Sequence, residues 1–464
     1  MTNPYQADLT NPNPVRSLRN DTGIAITAME KSITYQLFNK HLQDISFDLQ
    51  RNGITDQHRV MVVGDNADMI STIIAQWGVM YLGASAGNSS LDQSQQTIMD
   101  RAKAGNCDAV LYANTRQIEL LSDLSKTTKS HQTERFLLYS SGTTKKADGV
   151  YGVEPQFFTY HPDWQGGIAH IDQILLAYKF LGEVPINELS CHKWEVAYAP
   201  HNVVQCLLTG GTYHYVDSEE HMIAAQTKYQ TNLMSNYPLG YDPICAQGQF
   251  DSIEVVDVAG GICTPALIER IRKAINPRVI TNSFISSASG TILNRIIAAG
   301  DDPEQCVWME DPHINPTLRL RMDDSNVLWF KRNNSKWITD GDVFEQVGKY
   351  YRVVGKANEE YIDTDRGRIN TWEIEQFANQ LTRTVWGCGE HTYCFALLGR
   401  HALVYSGPLN IQLMKDRMDL MEPDLRPIKV IQVDPDFWSL NIKVSRGYMA
   451  ERLTLNAEYI QNQL

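Results

Sequence analysis

The sequence predicts an α/β protein whose C-terminal part forms a smaller α+β unit. Residues 34–49 carry apolar side chains at helical spacing, and short apolar runs follow at 60–63 and 109–112. Buried strands that alternate with amphipathic helices are typical of an α/β sheet. Beyond Gly355, strands and helices follow one another over about 100 residues, which is a usual domain size. We therefore expect a large N-terminal region of layered α/β sheets and a compact C-terminal domain.

Length, charge and cysteine usage narrow the class of protein. The 464 residues are enough for two or more domains, with 43% hydrophobic and 20% charged residues. A net charge of −13 argues against a general nucleic-acid binder, because no basic surplus neutralises phosphates. We find no apolar run of membrane-spanning length and no signal peptide, and we expect a cytoplasmic protein with reduced thiols.

The N-terminal half divides into a lead-in and regular elements. Residues 1–30 are polar with three prolines, and we expect an extended, loosely held segment there. Asp65, Asn66 and Asp68 supply N-caps for a helix that runs through Trp77. The patterns predict helices at 34–49, 66–77 and 167–181, and strands at 60–63, 109–112 and 136–139.

In the second half of the chain the sequence patterns for strands and helices are clearer. A strand at 252–259 ends in Gly260-Gly261, and Thr264 with a following proline begins a helix that runs to residue 274. Another strand covers 278–284, and a run of turn-forming residues separates hairpin strands at 318–322 and 327–330. The C-terminal unit is predicted to contain strands at 393–398, 402–405 and 428–433. A metal site on Cys388, His391 and Cys394 fits no zinc spacing, so we predict none.

A turn of small and hydroxylated residues follows the predicted strand at 136–139. It consists of Ser140, Ser141, Gly142, Thr143 and Thr144. Backbone N–H groups and hydroxyls in such a turn can converge on a phosphate. The spacing is not that of the nucleotide triphosphatase P-loop. A polar loop without a ligand is the alternative interpretation.

Residues 139–150 resemble the Y-[ST]-S-G-T-T-G-x-P-K-G-V loop of the adenylate-forming enzymes. This superfamily contains acyl-CoA synthetases, peptide-synthetase adenylation domains and firefly luciferase. Tyr139 to Thr144, Gly149 and Val150 fit the pattern. Lys145 stands where the family has glycine, and Asp148 where it has lysine. The resemblance implies that Ser140 to Lys145 bind the phosphates of a nucleotide.

Later segments resemble the family's adenine site. Gly260 and Gly261 stand at the glycine corner that borders the adenine. Asn282 and Phe284 fit the positions that hold and stack on it, and Ser287 stands at a conserved threonine of the N-x-Y-[GA]-x-T-E segment. Ala288 replaces the glutamate that helps to hold Mg²⁺, and a methyl group offers no ligand to a hard cation.

The remaining resemblances concern the ribose, the hinge and the C-terminal domain. Asp342 fits the carboxylate that binds the ribose hydroxyls. Lys356 replaces the hinge-region arginine, and Asn358 replaces the hinge aspartate. Lys443 stands where the family has its catalytic lysine, with Arg446 as the partner of that lysine. Without the resemblance, residues 339–342 would be a simple hairpin turn, and Lys443 a solvated side chain.

His201 follows a proline and precedes an apolar helix, which resembles the family segment that forms one wall of the acyl pocket. A histidine in such a position is more often structural than chemical. The resemblance implies that His201 lines the pocket. Tyr198, Val203 and Cys206, together with the adenine-site residues, suggest a small or moderately apolar acid.

The resemblance spans nearly the whole chain and implies an N-terminal domain at 1–354 and a mobile lid at 355–464. It implies that ATP and Mg²⁺ activate a small carboxylic acid to an acyl-adenylate. A thiol, either CoA or the phosphopantetheine of a carrier protein acting in trans, would then take the acyl group. The alternative is a degenerate homologue that binds a nucleotide or a partner without turnover, because Lys145, Asp148 and Ala288 all concern the triphosphate.

Overall fold

The computed structural model describes the chain in segments. These are residues 6–8, 11, 13–126, 136–139, 155–158, 181–194, 198–229, 231–241, 244–245, 250, 252–261, 263–286, 290–310, 318–332, 337–339, 341–356, 361–365, 367–371, 374, 378, 392–397, 400–406 and 410–433.

The described strands are numbered in chain order. They are β1 Ile24–Ala28, β2 Lys31–Thr34, β3 Arg59–Gly64, β4 Ser85–Ser90, β5 Ala109–Tyr112, β6 Ile118–Leu120, β7 Phe136–Tyr139, β8 Pro155–Phe158, β9 Glu188–Ser190, β10 Tyr213–Tyr215, β11 Leu233–Asn236, β12 Val255–Ala259, β13 Val279–Ser286, β14 Gly290–Ala298, β15 Leu318–Met322, β16 Leu328–Arg332, β17 Asp342–Val347, β18 Tyr350–Lys356, β19 Tyr361–Thr364, β20 Gly367–Asn370, β21 Thr392–Leu397, β22 Arg400–Ser406 and β23 Lys429–Val433.

The helices begin where side chains cap them. Thr34 accepts a hydrogen bond from the backbone N–H of Leu37, and Asp68 and Thr264 cap later helices in the same way. The described α-helices are α1 Tyr35–Arg51, α2 Met69–Leu82, α3 Gln95–Ala104, α4 Tyr198–Leu208, α5 Glu219–Lys228, α6 Pro265–Ala274, α7 Pro303–Cys306 and α8 Ile411–Met418. Short 3₁₀ helices cover Pro14–Ser17, Asn66–Asp68, Leu124–Lys126 and Pro238–Gly240. The helix predicted at 167–181 lies almost wholly outside the described residues.

Two large sheets form the N-terminal part. The first has the order β6-β5-β3-β4-β7-β8, with parallel strands inside and antiparallel strands at both edges. The second has the order β14-β13-β12-β11-β9-β10-β1-β2, in which β13 to β1 are all parallel. Antiparallel β14 and β2 close its edges.

The largest core cluster lies between the two sheets. Val62 of the first sheet and Val255 of the second belong to it, together with side chains of α1, α2 and α4. The opposite face of the second sheet packs on α6, where Val256 and Val258 join Leu267 in a separate cluster. The second sheet is therefore covered on both faces, as parallel sheets are.

The N-terminal segment differs from the loose lead-in that its polar composition predicts. β1 pairs in parallel with β10, and Ile26 is fully buried. Asn13 and Arg16 donate hydrogen bonds to the carbonyl oxygens at the end of α2. These hydrogen bonds to the last turn of α2, together with burial of the β1 side chains, fix residues 13–34 to the body of the protein.

The described C-terminal residues form a small α+β arrangement. β19 pairs with β20, and β21, β22 and β23 form a three-stranded sheet. α8 packs Met414 and Met418 into a cluster with Leu403 and Tyr405 of β22. None of the helices among the described residues is long and apolar enough to cross a membrane.

Candidate active site

The carboxyl ends of three parallel strands meet at one edge of the second sheet. Asn236, Val258 and Asn282 lie in register on β11, β12 and β13. The loop that leaves β12 carries the glycine corner, and Phe284 follows Asn282 within β13. Ligands in open α/β sheets bind in the crevice outside such strand ends.

Gly260 allows two of these loops to approach each other closely. Its φ of +76° lies in the left-handed region, and a Cβ atom there would lie 2.5 Å from the Tyr237 ring. Only glycine meets both conditions. The Cβ of a residue at position 261 would lie 3.0 Å from Pro238. The predicted glycine corner is thus built against the Tyr237-Pro238 loop.

His192 packs against this loop. The ring nitrogen Nε2 lies 3.1 Å from the carbonyl oxygen of Ser235, and the His192 ring meets Tyr237 edge to face at 5.1 Å. Burial lowers the pKa of His192 to about 4, so the ring is neutral at pH 7. A neutral ring bonded to a carbonyl carries its proton on Nε2, which donates to Ser235.

The two predicted adenine-site side chains of β13 have different surroundings. Asn282 is buried, and its amide donates to the carbonyl oxygen of Cys306 at 3.4 Å. Phe284 is half-buried and meets Phe344 edge to face, with ring centroids 5.0 Å apart. Phe284 therefore keeps an accessible ring at the strand ends, whereas Asn282 points towards α7.

Asp342 and Lys356 are brought together by the hairpin of β17 and β18. Their Cα atoms are partners at the open end of this hairpin. Phe344 follows Asp342 by two residues and holds the hairpin against Phe284. The structure thus places the predicted ribose and adenine residues on neighbouring elements.

His201 lies in the first half of α4 and is half-buried. Desolvation lowers the pKa of His201 to about 4, so it is neutral at pH 7. Gln205 follows one helical turn later on the same side of α4 and is buried. Because Gln205 contacts β9, the His201 side of α4 faces the second sheet.

A buried polar network, which sequence reasoning missed, lies between α4 and this sheet. Gln205 Nε2 donates to Glu188 Oε2 at 2.6 Å, and Glu188 is fully buried. Burial raises the pKa of Glu188 to about 8, although hydrogen bonds from Ser235 and Gln205 act in the opposite direction. Asp257, which is close enough to raise that pKa further, accepts hydrogen bonds from Thr281 and Ser283.

Several predicted site residues lie outside the described part of the chain. They are Ser140, Ser141, Gly142, Thr143, Thr144, Lys145, Ser287, Lys443 and Arg446. The backbone of Lys356 is described but its side chain is not. Among the described residues there is no group of three or more His, Cys, Asp or Glu side chains that could hold a metal ion.

Solved structures resemble this chain over most of its length. The O-succinylbenzoate coenzyme A synthetase of Bacillus subtilis in complex with AMP aligns at a TM-score of 0.67 and 11% identity, over 91% of this chain and 94% of the synthetase. The chain has the fold of the adenylate-forming enzymes. ATP-bound MatB of Rhodopseudomonas palustris has a TM-score of 0.67 at 10% identity, over 91% of this chain and 95% of MatB.

A third adenylate-forming structure is the amide bond synthetase McbA of Marinactinospora thermotolerans, with a TM-score of 0.68 and 11% identity over 96% of this chain and 99% of McbA. The Bacillus subtilis synthetase has also been solved with ATP and a magnesium ion. No family model and no curated protein matches the sequence. The predicted combination of a large α/β part and a small C-terminal part is confirmed by the fold.

Proposed function

We propose that the protein uses ATP to activate a carboxylic acid as an acyl-adenylate and then transfers the acyl group to a thiol. The observation that carries this proposal is an adenylate-forming fold in which Gly260 directly follows β12 and the Phe284 ring of the neighbouring strand β13 packs on Phe344, two residues after Asp342. An aromatic ring and a carboxylate suit the base and the ribose of a nucleotide.

Nucleotide binding draws on residues of the N-terminal part. The half-buried Phe284 ring offers a face to adenine, and Asp342 accepts hydrogen bonds from the two ribose hydroxyls. Gly260 and Gly261 leave room beside the base because they carry no side chain. Ser140 to Thr144 bind the phosphates through backbone N–H groups and hydroxyls.

In the first step a carboxylate oxygen of the acid attacks the α-phosphorus of ATP, and pyrophosphate leaves with the electron pair of the broken P–O bond. Lys443 stabilises the charge that develops between carboxylate and phosphate, with Arg446 beside it. The loss of one such preorganised contact typically costs about 2.7–4 kcal/mol. His201, which is neutral at pH 7, lines the acid pocket and adds no charge next to the carboxylate.

In the second step the C-terminal domain, residues 355–464, turns about Asn358 and presents the face around Gly367. A thiol then attacks the carbonyl carbon, a thioester forms, and AMP leaves as the anion. The thiol belongs to CoA or to the phosphopantetheine of a carrier protein in trans. The C-terminal cluster supports a separate domain, because α8 and β22 pack on each other.

Magnesium, when bound, would neutralise the charge of the triphosphate. Ala288 offers it no oxygen, whereas Asp148 in the phosphate loop supplies a carboxylate of the type that Mg²⁺ prefers. Lys145 or Lys146 supplies the positive charge that the family's loop lysine provides. The same departures favour the second candidate, a homologue that binds a nucleotide without turning it over.

ATP–pyrophosphate exchange across a panel of carboxylic acids separates the two candidates. We expect exchange with at least one acid. Lys443→Ala should abolish it while ATP affinity stays within severalfold, and Lys349→Ala, at a surface lysine paired with Glu310, should leave it unchanged. Tight AMP binding without exchange for any acid would establish the binding-only homologue.

A further inference from the structure

The outer face of the hairpin of β15 and β16 carries positive charges and indole rings side by side. Side chains alternate along a strand, so Arg319 and Arg321 of β15 share this face. Their partners in register on β16 are Lys331 and Trp329, which lie on the same face. Both arginines are exposed, whereas the opposite face of the hairpin packs into a buried cluster that contains Phe330.

Arg321 lies at the centre of a ladder of rings and cations on this face. Its Cζ atom is 4.5 Å from the centroid of the Trp337 ring and 5.5 Å from that of the Trp329 ring. Lys331 Nζ lies 5.2 Å from the Trp337 centroid. Stacking on indoles restricts the guanidinium but leaves its in-plane N–H groups able to donate. The ladder therefore holds an oriented donor fork at the protein surface.

The carboxylate beside the ladder is occupied by the hairpin itself. Asp323 accepts hydrogen bonds from Trp329 Nε1 at 2.8 Å and from two backbone N–H groups of the turn. Among the described residues, no carboxylate forms a hydrogen bond or an ion pair with Arg321 or Lys331. On a chain whose net charge is −13, three cations beside one carboxylate form a local patch that suits an acidic partner.

The outer edge of β15 offers main-chain groups next to these cations. The N–H of Asp323 donates to the carbonyl oxygen of Val327 across the hairpin, so the N–H and C=O groups of Leu320, three residues earlier, point away from β16. No strand pairs with this edge in the part of the chain that the structure describes. An extended peptide that added a strand here would place alternate side chains opposite Arg319 and Arg321.

We propose that the edge of β15 binds an extended acidic segment of a partner protein, with aspartate or glutamate at alternate positions. One carboxylate accepts two hydrogen bonds from the oriented guanidinium of Arg321, and the next lies opposite Arg319. The main chain of the segment pairs with Leu320. A nucleic acid would meet the same cations, but it has no main-chain groups that could pair with a strand edge. This surface is separate from the candidate active site, so the inference does not depend on the proposed function.

Fluorescence anisotropy with two labelled peptides of equal composition tests the proposal. The acids alternate in GVEVEVEG and form a block in GVVVEEEG. We expect the wild-type protein to bind the alternating peptide about fivefold tighter or more, because only that peptide directs its acids to one face of a strand.

Arg321→Gln should weaken binding of the alternating peptide about tenfold, since it removes the charged donor fork. Arg321→Lys should also weaken it, because lysine keeps the charge without the planar fork. The matched control is Arg51→Gln on α1, where an exposed arginine lies 5.9 Å from the centroid of the Phe47 ring. This variant should bind as the wild type does.

Hydrogen exchange then locates the peptide, and the N–H of Leu320 should become protected in the complex. No binding of the alternating peptide, equal binding of the two peptides, or protection that leaves β15 unchanged would overturn the inference. Equal losses in Arg321→Gln and Arg51→Gln would do so as well. Tighter binding of a single-stranded oligothymidylate of the same charge would replace the acidic segment with a nucleic acid.

Discussion

Asp342 and Lys356 lie opposite each other at the open end of the hairpin of β17 and β18. Asp342 lies two residues from Phe344, whose ring packs on Phe284. Strand pairing and one ring contact thus connect the strand that carries Asp342 to Phe284.

Asp342→Asn should weaken AMP binding about tenfold or more, because a hydrogen bond to a charged group contributes about 1.5–3 kcal/mol. Isothermal calorimetry measures this change. Glu345→Gln is the control, since Glu345 lies on the same strand, is exposed and pairs with Arg352. Equal affinities for the two variants would remove Asp342 from the nucleotide site.

Phe284→Leu should also reduce AMP affinity. Stacking of a base on an aromatic ring contributes about 1–3 kcal/mol, and leucine keeps the apolar volume without the ring face. The control is Phe47→Leu, at an exposed position of α1. If both variants bind AMP as the wild type does, the adenine does not stack on Phe284.

Gly260→Ala should destabilise the fold more than Gly300→Ala does. Both glycines have positive φ, and alanine there costs about 1–2 kcal/mol. At Gly260 the new methyl group would also meet the Tyr237 ring, whereas at Gly300 no atom of the described residues would lie within 4 Å of it. Overpacking of this kind adds about 1–3 kcal/mol. Denaturant unfolding measures the difference, and equal losses would contradict the close approach.

Glu188→Gln should change the pH dependence of stability. The folded state holds the Glu188 proton up to a pKa of about 8, and the unfolded state releases it near 4.5. The stabilisation that Glu188 contributes is therefore fully present below pH 4.5 and is lost as the pH rises through 8. Over this range the free energy of unfolding falls by up to about 1.4 kcal/mol per pH unit. The glutamine variant should lack this slope.

Between pH 6.5 and 8 the effect of Glu188 on stability can be measured separately from that of the buried histidines. Burial lowers the pKa of His192, His201 and His214 to about 4, so these groups reduce stability only as the pH falls below 6.5. Urea unfolding at pH 6.5, 7.25 and 8 provides the comparison. Parallel curves for wild type and variant would show that Glu188 is ionised in the folded protein.

Elements with strong local signals were predictable from the sequence. The predicted helix start at Thr264 and end at residue 274 agree with α6, because an N-cap, a proline in the first turn and helical spacing all coincide. β4 was not predicted, since its residues are small and polar although all of them are buried. Its strand conformation comes from pairing with β3 and β7, which local composition does not reveal.

The residues of the candidate site also divide into those that local motifs predict and those that only the fold brings together. Gly260, Phe284 and Asp342 could be proposed from the sequence because they belong to ordered motifs. Glu188 and Asp257 could not, because each is a single carboxyl residue in a short buried strand and no motif surrounds it. They are brought together by sheet order and by α4, and only the fold shows that.

The pairing of β1 with β10 has a consequence for biosynthesis. Ile26 leaves the ribosome well before its partner Tyr213 is made. Contacts between residues so far apart in sequence form slowly. Until then β1 has β2 as its strand partner but not β10, and the nascent chain exposes apolar side chains of β1. A chaperone that covers the first 34 residues during translation would therefore raise the yield of folded protein.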